Sequence, residues 1–300
     1  METKRVIALG FFDGVHRGHG ALLSLCVRRA EELGAVPAAF TFDTHPSALI
    51  LHAPVPLLST PADRAGLMRR QYGIRDVIVA HYDERMMKTP WRDFVVDCLA
   101  AEHGAVHLVC GPDFHFGYRG EGDPLRLAQL CGELGLGVDV VTKVEMEGFK
   151  VSSSYIRTLV AQGEMDRAVS FLGHPHVLTG VVRHGKRLGS TLGFPTVNLT
   201  IPDGVLPPAY GVYVTRVALE DGTSHTAVTN VGVRPTVEDG TAVTVESWLL
   251  DFDGDLYGKE IRVEFYHYLR PEIKFDTLYE LRDQINGDAL AARAYFQGEG

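Results

Sequence analysis

Two histidines near the start of the chain have a spacing that suits phosphate chemistry. His16 and His19 are three residues apart, and Gly14 and Gly18 stand beside them. Imidazoles at this spacing can lie on one face of a helical turn, and glycines let the backbone approach phosphate oxygens. Such a group can stabilise the negative charge that spreads over phosphorus during transfer from a nucleotide. The ordinary alternative is a turn that happens to contain two histidines.

A second set of phosphate-binding candidates occurs at residues 152–157. Ser153 and Ser154 stand where a helix is predicted to begin, and Arg157 follows on its first turn. Hydroxyl groups and a guanidinium at a helix start can together hold a polyphosphate. The alternative interpretation is an ordinary serine N-cap followed by a solvated arginine.

A glycine-rich loop with aromatic residues spans residues 111–120. Within it, Asp113 lies next to Phe114, and Phe116 follows two residues later. Aromatic side chains on such a loop can hold a planar ring. The alternative is a packed loop whose phenylalanines belong to the core. His45, after the second predicted strand, is open to the same two interpretations.

The second half contains a glycine-rich stretch that ends in two neutral oxygen donors. Gly185, Gly189 and Gly193 recur every four residues, a spacing that would suit a flexible loop over phosphates, although it is not a P-loop. Thr196 and Asn198 would lie on one side of a strand. Mg²⁺ takes few protein ligands and completes its shell with water and phosphate oxygens, so this pair could bind it. A glycine-rich hairpin without a ligand is the alternative.

A single carboxylate interrupts the otherwise mostly apolar residues 243–252. Glu246 would be costly on this strand unless it met water or a cleft. In a cleft, it could accept the proton of a substrate hydroxyl during phosphoryl transfer. On a solvated strand face, it would have no chemical role.

The elements that would position these residues differ between the two halves. In the first half, β-rich runs alternate with helical segments, which predicts a Rossmann-like α/β domain with a parallel sheet. Ligands of such sheets gather at the carboxyl ends of the strands, so the loops after Phe11, Phe42 and Cys110 are the places to look. The predicted strands are Val6–Phe11, Val36–Phe42, Val77–Ala80, Val106–Cys110 and Val138–Val144. Helices are predicted over Ala21–Leu33 and after Thr60-Pro61, Thr89-Pro90 and Asp123-Pro124.

In the second half, strand-like runs are separated by Gly, Pro and Asp-Gly turns. This pattern predicts an all-β antiparallel barrel or sandwich, followed by a helix over Thr277–Phe296. The boundary is expected near residues 174–180, which gives domains 1–175 and 176–300. The predicted strands are Val177–Arg183, Val212–Leu219, Ser224–Val231, Ala242–Phe252 and Ile261–His267.

Composition limits the class of protein. The 300 residues are 45% apolar, which is enough for two folded domains. A net charge of -9 argues against nucleic acid and anionic membrane surfaces as partners, so a phosphate site must be built from local charges and backbone amides. No signal-peptide pattern or membrane-length apolar run is present, so a cytoplasmic setting is expected. The four cysteines form no Cys-x-x-Cys pair and are expected to be buried thiols.

Together these motifs resemble one family, the bacterial bifunctional riboflavin kinase/FMN adenylyltransferases, also called FAD synthetases. The resemblance covers nearly the whole chain, and it rests on the order and spacing of several motifs. They are Gly10–His19, Gly111–Gly117, Ser152–Arg157, Leu192–Asn198, Asn230–Thr236, Leu249–Gly258 and Leu269–Phe275. The family pattern is not followed at Ser190, where arginine is common, or at Thr44, where proline is usual.

The resemblance implies an N-terminal nucleotidyltransferase domain and a C-terminal kinase domain, the latter a six-stranded antiparallel barrel with a helix against it. The kinase would phosphorylate riboflavin to FMN with ATP. The other domain would transfer an adenylyl group from ATP to FMN, giving FAD and pyrophosphate. His16 and His19 would stabilise the transition state of adenylyl transfer, and Glu246 would be the base for the 5′-hydroxyl of riboflavin.

By the same resemblance, the remaining candidates bind substrates. Asp113 and Phe114 would hold the flavin, and Thr196 and Asn198 would bind Mg²⁺ with ATP. The ATP-binding candidates are Gly14, Gly18, Ser153, Ser154, Arg157, Gly185, Gly189 and Gly193.

Two other functions fit parts of this pattern. One is a riboflavin kinase whose nucleotidyltransferase domain is silent or has a different specificity, and the other is a non-catalytic flavin-binding sensor. The presence of both histidines and of Glu246 argues against them, because a silent or sensing protein could keep its pockets and lose these groups. The sequence specifies no oligomeric partner.

Overall fold

A five-stranded parallel sheet organises the first half of the chain in the computed structural model, which describes residues 3–183, 194–235 and 241–298. The strands are β1 (Arg5–Leu9), β2 (Val36–Phe42), β3 (Asp76–Ala80), β4 (Ala105–Cys110) and β5 (Gly137–Val140). Their order is β3-β2-β1-β4-β5, and neighbours run parallel. Val6, Ile7 and Ala8 are fully buried, so both faces of the central strand are covered. The predicted α/β fold is confirmed.

Helices follow the strands, as predicted. They are α1 (Arg17–Leu33), α2 (Pro46–Leu51), α3 (Pro61–Tyr72), α4 (Glu84–Met87), α5 (Trp91–Asp93) and α6 (Pro124–Leu134). Thr60 and Asp123 cap α3 and α6 through their side chains, which confirms two start signals. Thr89 does not cap α5, because its hydroxyl donates to the carbonyl of Arg85 at 3.0 Å. After α5 the chain winds as a π-helix over Phe94–Glu102, which the sequence pattern did not predict.

The order of strands reverses between β1 and β4. The chain passes from β1 to β2 and β3 on one side, and then to β4 and β5 on the other. Such a reversal opens a crevice at the carboxyl ends of the two central strands. The strand predicted over Val138–Val144 is too long: β5 ends at Val140, opposite the last residue of β4, and residues beyond it lead into a hairpin of β6 (Glu145–Met146) and β7 (Phe149–Lys150).

The second half contains a six-stranded antiparallel sheet, which confirms the predicted barrel-like fold. The strands are β8 (His176–Val181), β9 (Thr196–Thr200), β10 (Gly211–Leu219), β11 (Ser224–Pro235), β12 (Thr241–Leu249) and β13 (Glu260–Arg270). Their order is β8-β13-β10-β11-β12-β9. The sheet curls, because Arg183, just after β8, donates its backbone N–H to the carbonyl of Asn198 in β9 at 2.9 Å.

Within the described residues, three helices belong to this half of the chain: α7 (Ser153–Gln162), α8 (Met165–Leu172) and α9 (Leu278–Gln297). The buried alanines of α9, Ala289 and Ala292, pack on Val212 and Val214 of β10. The carboxylate of Asp288 pairs with Arg270 of β13 at 2.7 Å and is only 5% exposed, which fixes the helix on the sheet.

The chain divides into two compact units, Met1–Ser153 and Ser154–Gly300. The second unit therefore includes most of α7 and all of α8, and α8 packs on β8 and β13. The domain boundary expected at residue 175 lies after these helices, and as a functional boundary it stays a prediction.

The four cysteines are free thiols. Cys26, Cys110 and Cys131 are buried as predicted, whereas Cys98 is partly exposed.

Across the residues that the structure describes, none of the helices combines the length and the hydropathy that a membrane crossing requires.

His176 makes the stability of the second unit dependent on pH. Its side chain is 1% exposed beside Phe265, and its Nε2 has no hydrogen-bond partner among the described residues. Burial lowers the pKa of His176 from 6.5 to about 4. Below pH 6.5 the imidazole of His176 is therefore protonated in the unfolded chain, whereas in the folded unit it stays neutral down to about pH 4.

We expect the free energy of unfolding to fall by up to about 3 kcal/mol as the pH drops through this interval. His176→Phe removes the titrating group and should flatten the dependence. Denaturant unfolding at neutral and acidic pH measures it, followed by Trp248 fluorescence in a Trp91→Phe background. His52→Gln, at an exposed position, is the control. An equally steep loss of stability in His176→Phe would contradict the assignment.

Candidate functional site

The turn between β1 and α1 adopts a strained backbone. Phe12, Gly14 and Val15 have φ angles of 57°, 72° and 44°, in the left-handed region. Glycine adopts this region freely, but a β-branched valine does so only at a cost of the order of 1–3 kcal/mol. The chain returns to an extended conformation at His16, which is the N-cap of α1. The surrounding structure must therefore hold the turn.

Buried hydrogen bonds hold this turn. The carboxylate of Asp13, 1% exposed, accepts the backbone N–H groups of Leu58 at 2.9 Å and Ser59 at 3.2 Å. The N–H of Gly14 donates to the hydroxyl of Ser59 at 3.0 Å. The hydroxyl of Ser153 donates to the carbonyl of Asp13 at 3.0 Å. Segments 45 and 140 residues away in sequence thus fix the conformation that positions the histidines.

The two histidine rings stack at the N-terminus of α1. Their centroids are 3.6 Å apart with 14° between the planes, and His16 Nδ1 accepts the backbone N–H of His19 at 3.2 Å. A Cβ atom on Gly18 would lie 3.1 Å from the His16 ring, so a glycine suits this close approach. The unpaired amides of a helix N-terminus add positive potential beside the rings.

The electrostatics of His19 favour a neutral imidazole. Burial lowers the pKa of His19 well below its ordinary value, and His16 and Arg64 lower it further. Its Nδ1 is buried and has no hydrogen-bond partner among the described residues. An anion at this position would supply a partner and favour the protonated form.

A cleft of about 200 Å³ opens over these rings, and we call it the histidine cleft. His16, Gly18 and His19 line one side, and Lys143 and Lys150 line another. Both lysines pair with the carboxylate of Asp113, at 3.0 and 2.6 Å, and these pairs lower the pKa of Asp113. The cleft thus gathers positive charge that suits phosphate groups.

A larger cavity of about 660 Å³, the aromatic pocket, adjoins the histidine cleft. Its volume is that of a small-molecule site. Leu9, Gly10, Asp113 and Phe114 line both cavities, so they meet where β1 and β4 end. Aromatic rings dominate the pocket wall: Phe11, Phe40, Phe42, His45, Tyr82, Phe94, Phe114, Phe116 and Tyr118. The three loops indicated by the sequence therefore converge.

The structure places the candidates of the first half unequally. His16, His19, Gly18, Asp113 and Phe114 line the two cavities. Gly14 is buried and its N–H donates to Ser59, so in this structure the glycine permits the turn. Ser153 supports the same turn by a hydrogen bond to the carbonyl of Asp13. Ser154 and Arg157 belong to the second unit. Their assignment to ATP stays a prediction.

Sequence reasoning missed Arg64, Lys143 and Lys150. Arg64 is 0% exposed. Its Nη1 donates to the carbonyls of Phe11 at 2.5 Å and Phe42 at 3.1 Å. It also donates to the hydroxyl of Thr41 at 2.9 Å. Burial lowers the pKa of Arg64 to about 10. Its spacing to the buried residues Leu67 and Met68 of α3 was a signal of burial. The lysines had no local signal, because their partner is distant in sequence.

The second unit aligns the other candidates across neighbouring strands. Asn198 of β9 lies opposite Glu246 of β12, which in turn lies opposite Asn230 of β11. Thr196, two residues before Asn198, is on the same face. Directly opposed side chains of antiparallel strands have Cβ atoms about 5 Å apart. The predicted base and a predicted metal ligand are therefore neighbours.

Asn198 fits a metal ligand. Its side chain is 8% exposed, and its Oδ1 has no hydrogen-bond partner among the described residues. A buried carbonyl oxygen without a partner is costly, and a hard divalent cation is a suitable one. Gly185, Gly189 and Gly193 lie outside the described residues, so their assignment stays a prediction.

These features define a class of protein: an α/β nucleotide-transferring unit with paired histidines at its crevice, joined to an antiparallel unit with a carboxylate–amide site. A family model described as FAD synthetase matches residues 1–155, and one described as Riboflavin kinase matches residues 172–296. The chain belongs to the family of bifunctional riboflavin kinase/FMN adenylyltransferases.

Relatives cover nearly the whole chain. Bifunctional riboflavin kinase/FMN adenylyltransferase of Listeria monocytogenes is 33% identical over 98% of this chain and 93% of its own length. The enzyme of that name from Pseudomonas fluorescens is 36% identical, covering 96% and 92%. A crystal structure from Streptococcus pneumoniae, described as a macrolide-efflux protein, has a TM-score of 0.84 at 28% identity, covering 98% and 95%. It is similar in fold, and its description concerns that protein alone.

Arg64 offers a test of how the aromatic pocket is held. Arg64→Met would remove a buried donor to the carbonyls of Phe11 and Phe42, although the Phe11 carbonyl would keep the hydroxyl of Thr41. The variant should lower the free energy of unfolding of the first unit by about 1–3 kcal/mol. Trp91 fluorescence in a Trp248→Phe background measures this. FAD formation from FMN should fall with it, because Phe11 lines the pocket. Arg75→Met, at an exposed position, is the control, and equal behaviour of the two variants would contradict this role.

Proposed function

We propose that this chain phosphorylates riboflavin to FMN with ATP and then transfers an adenylyl group from a second ATP to FMN, which gives FAD and pyrophosphate. The observation that carries the proposal is that each unit contains its own reactive group. The first has stacked histidines beside an aromatic pocket, and the second has Glu246 opposite Asn198. Both family models match in the same order.

In adenylyl transfer, the flavin ring occupies the aromatic pocket and its phosphate extends into the adjoining histidine cleft. The FMN phosphate oxygen attacks the α-phosphorus of ATP, and pyrophosphate leaves. His16 and His19 stabilise the charge on the transferring group, helped by the N-terminus of α1.

The remaining residues of this site bind the substrates. Lys143 and Lys150 neutralise phosphate charge, and Asp113 orients both lysines. Phe114 contacts the flavin ring. Gly14 and Gly18 shape the turn at the nucleotide, and Ser153, Ser154 and Arg157 hold the ATP phosphates.

In the kinase reaction, Glu246 accepts the proton of the 5′-hydroxyl of riboflavin as the oxygen attacks the γ-phosphorus of ATP. ATP is the donor in both reactions, and a divalent metal accompanies it. We propose Mg²⁺, held by Thr196 and Asn198. When bound, it neutralises charge on the phosphates. Gly185, Gly189 and Gly193 are proposed to form the loop over the phosphates.

The two alternative functions predict different products. A kinase with a silent first unit would stop at FMN, and a sensor would leave riboflavin unchanged. The described structure favours neither, because the histidine cleft contains both imidazoles and adjoins a pocket large enough for a flavin.

Product analysis tests the proposal. The full chain is incubated with riboflavin, ATP and Mg²⁺, and the flavins are separated by chromatography over time. We expect FMN to appear first and FAD to follow. Accumulation of FMN alone would identify the silent-unit alternative, and unchanged riboflavin with retained flavin binding would identify the sensor.

Glu246→Gln separates the two activities. The amide keeps the shape of the side chain but cannot take the proton, so FMN formation should slow on the order of 10²-fold, the low end for general-base catalysis. FAD formation from supplied FMN should continue at the parent's rate, because the histidines lie in the other unit. Unchanged phosphorylation of riboflavin would remove Glu246 from the mechanism.

The matched control is the double variant His16→Ala with His19→Ala, which should show the reverse pattern. Phosphorylation of riboflavin should persist, while conversion of FMN to FAD should be lost because charge at the α-phosphorus is no longer stabilised. FAD synthesis at the normal rate in this variant would contradict the role of the histidines.

A further inference from the structure

A cluster of metal-ligating side chains lies outside both candidate sites. Within the described part of the chain, Cys98, Glu102 and His103 form a group whose ligand atoms all lie within 4.8 Å of one another. Cys98 and Glu102 belong to the π-helix, and His103 directly follows it. Neither proposed reaction uses these residues.

The π-helix is the reason that these side chains meet. Five steps of an α-helix, at about 100° each, would leave Cys98 and His103 about 140° apart. Here the backbone N–H of His103 donates to the carbonyl of Cys98 at 3.1 Å, an i to i+5 bond that brings His103 over Cys98. Glu102, at i+4, lies beside both, with its carboxylate 3.8 Å from His103 Nε2. Such turns are rare and often occur at functional sites.

The donor set selects a class of metal. A thiolate, an imidazole and a carboxylate are the ligands of Zn²⁺, whereas Mg²⁺ and Ca²⁺ prefer oxygen ligands alone. Three protein ligands leave one tetrahedral position for water.

The surroundings allow a cation to enter. Glu102 is 68% exposed, His103 is 22% exposed and Cys98 is partly exposed, so solvent reaches the cluster. Cys98 and Glu102 line a surface groove in which the carboxylates of Asp83, Asp93 and Asp97 add to that of Glu102 and outnumber the two cations, Arg85 and Lys88. These negative charges would raise the local concentration of a divalent cation.

We propose that Cys98, Glu102 and His103 form a binding site for a transition-metal dication, of which Zn²⁺ is the best match. Binding displaces the thiol proton of Cys98 into solvent and leaves a Cys–Glu–His set around the ion. The ion cross-links side chains at the C-terminal end of the π-helix. Phe94, the first residue of that helix, contacts Phe40 and Phe116 in the aromatic pocket.

Metal binding by the full chain tests this proposal without reference to activity. Equilibrium dialysis against micromolar Zn²⁺ with excess Mg²⁺, followed by metal analysis, should find one Zn²⁺ per chain. Co²⁺ should give a thiolate charge-transfer band in the near ultraviolet and visible bands of tetrahedral geometry. Cys98→Ala and His103→Gln should each weaken binding at least about tenfold, and Glu102→Gln should weaken it less. Cys98→Ala should also abolish the charge-transfer band.

Matched controls are Cys131→Ala, which removes a buried thiol, with Glu84→Gln and His52→Gln, which remove an exposed carboxylate and an exposed imidazole elsewhere. All three should bind Zn²⁺ like the parent. The proposal is overturned if the parent binds no Zn²⁺, or if Cys98→Ala and His103→Gln bind as tightly as the controls. Circular dichroism confirms that each variant is folded.

Discussion

The buried carboxylate of Asp13 accepts the backbone N–H groups of Leu58 and Ser59, and this interaction holds a left-handed turn that would otherwise relax. The histidine site depends on it, because the turn places His16 at the N-cap of α1 and stacks His19 against it. Strain concentrated in a buried, multiply bonded turn is characteristic of sites where side-chain position matters more than local stability.

The parallel sheet determines where this turn meets its ligands. Since the strand order reverses between β1 and β4, the loops that follow them face each other across a crevice, and the aromatic pocket and the histidine cleft share residues there. The net charge of -9 would repel phosphates at long range. Lys143, Lys150 and the start of α1 supply the opposite charge locally, where screening by salt is weakest.

In the second unit, the register of the antiparallel strands positions the candidate side chains. Antiparallel pairing places Asn198, Glu246 and Asn230 in one row across three strands, and a slip of one residue would move Glu246 to the other face. On the opposite face, the hydroxyls of Thr215, Thr229 and Ser247 form a buried hydrogen-bonded chain. Polar groups on both faces therefore favour a single register.

The sequence by itself determined the α/β and all-β halves, the helix caps at Thr60 and Asp123, and the pairing of His16 with Gly18 and His19. These features follow from periodicity and from contacts a few residues apart, which local patterns contain. Only the tertiary structure decided three contacts between distant segments. Arg64 donates hydrogen bonds to the chain after β1 and to the end of β2, Lys143 and Lys150 pair with Asp113, and Glu246 faces Asn198. It also decided that a π-helix brings His103 over Cys98. The first three depend on segments distant along the chain, and the π-helix runs against the usual winding of its residues. Local spacing indicates that Arg64 is buried, but it identifies neither the distant partners of these side chains nor the π-helix.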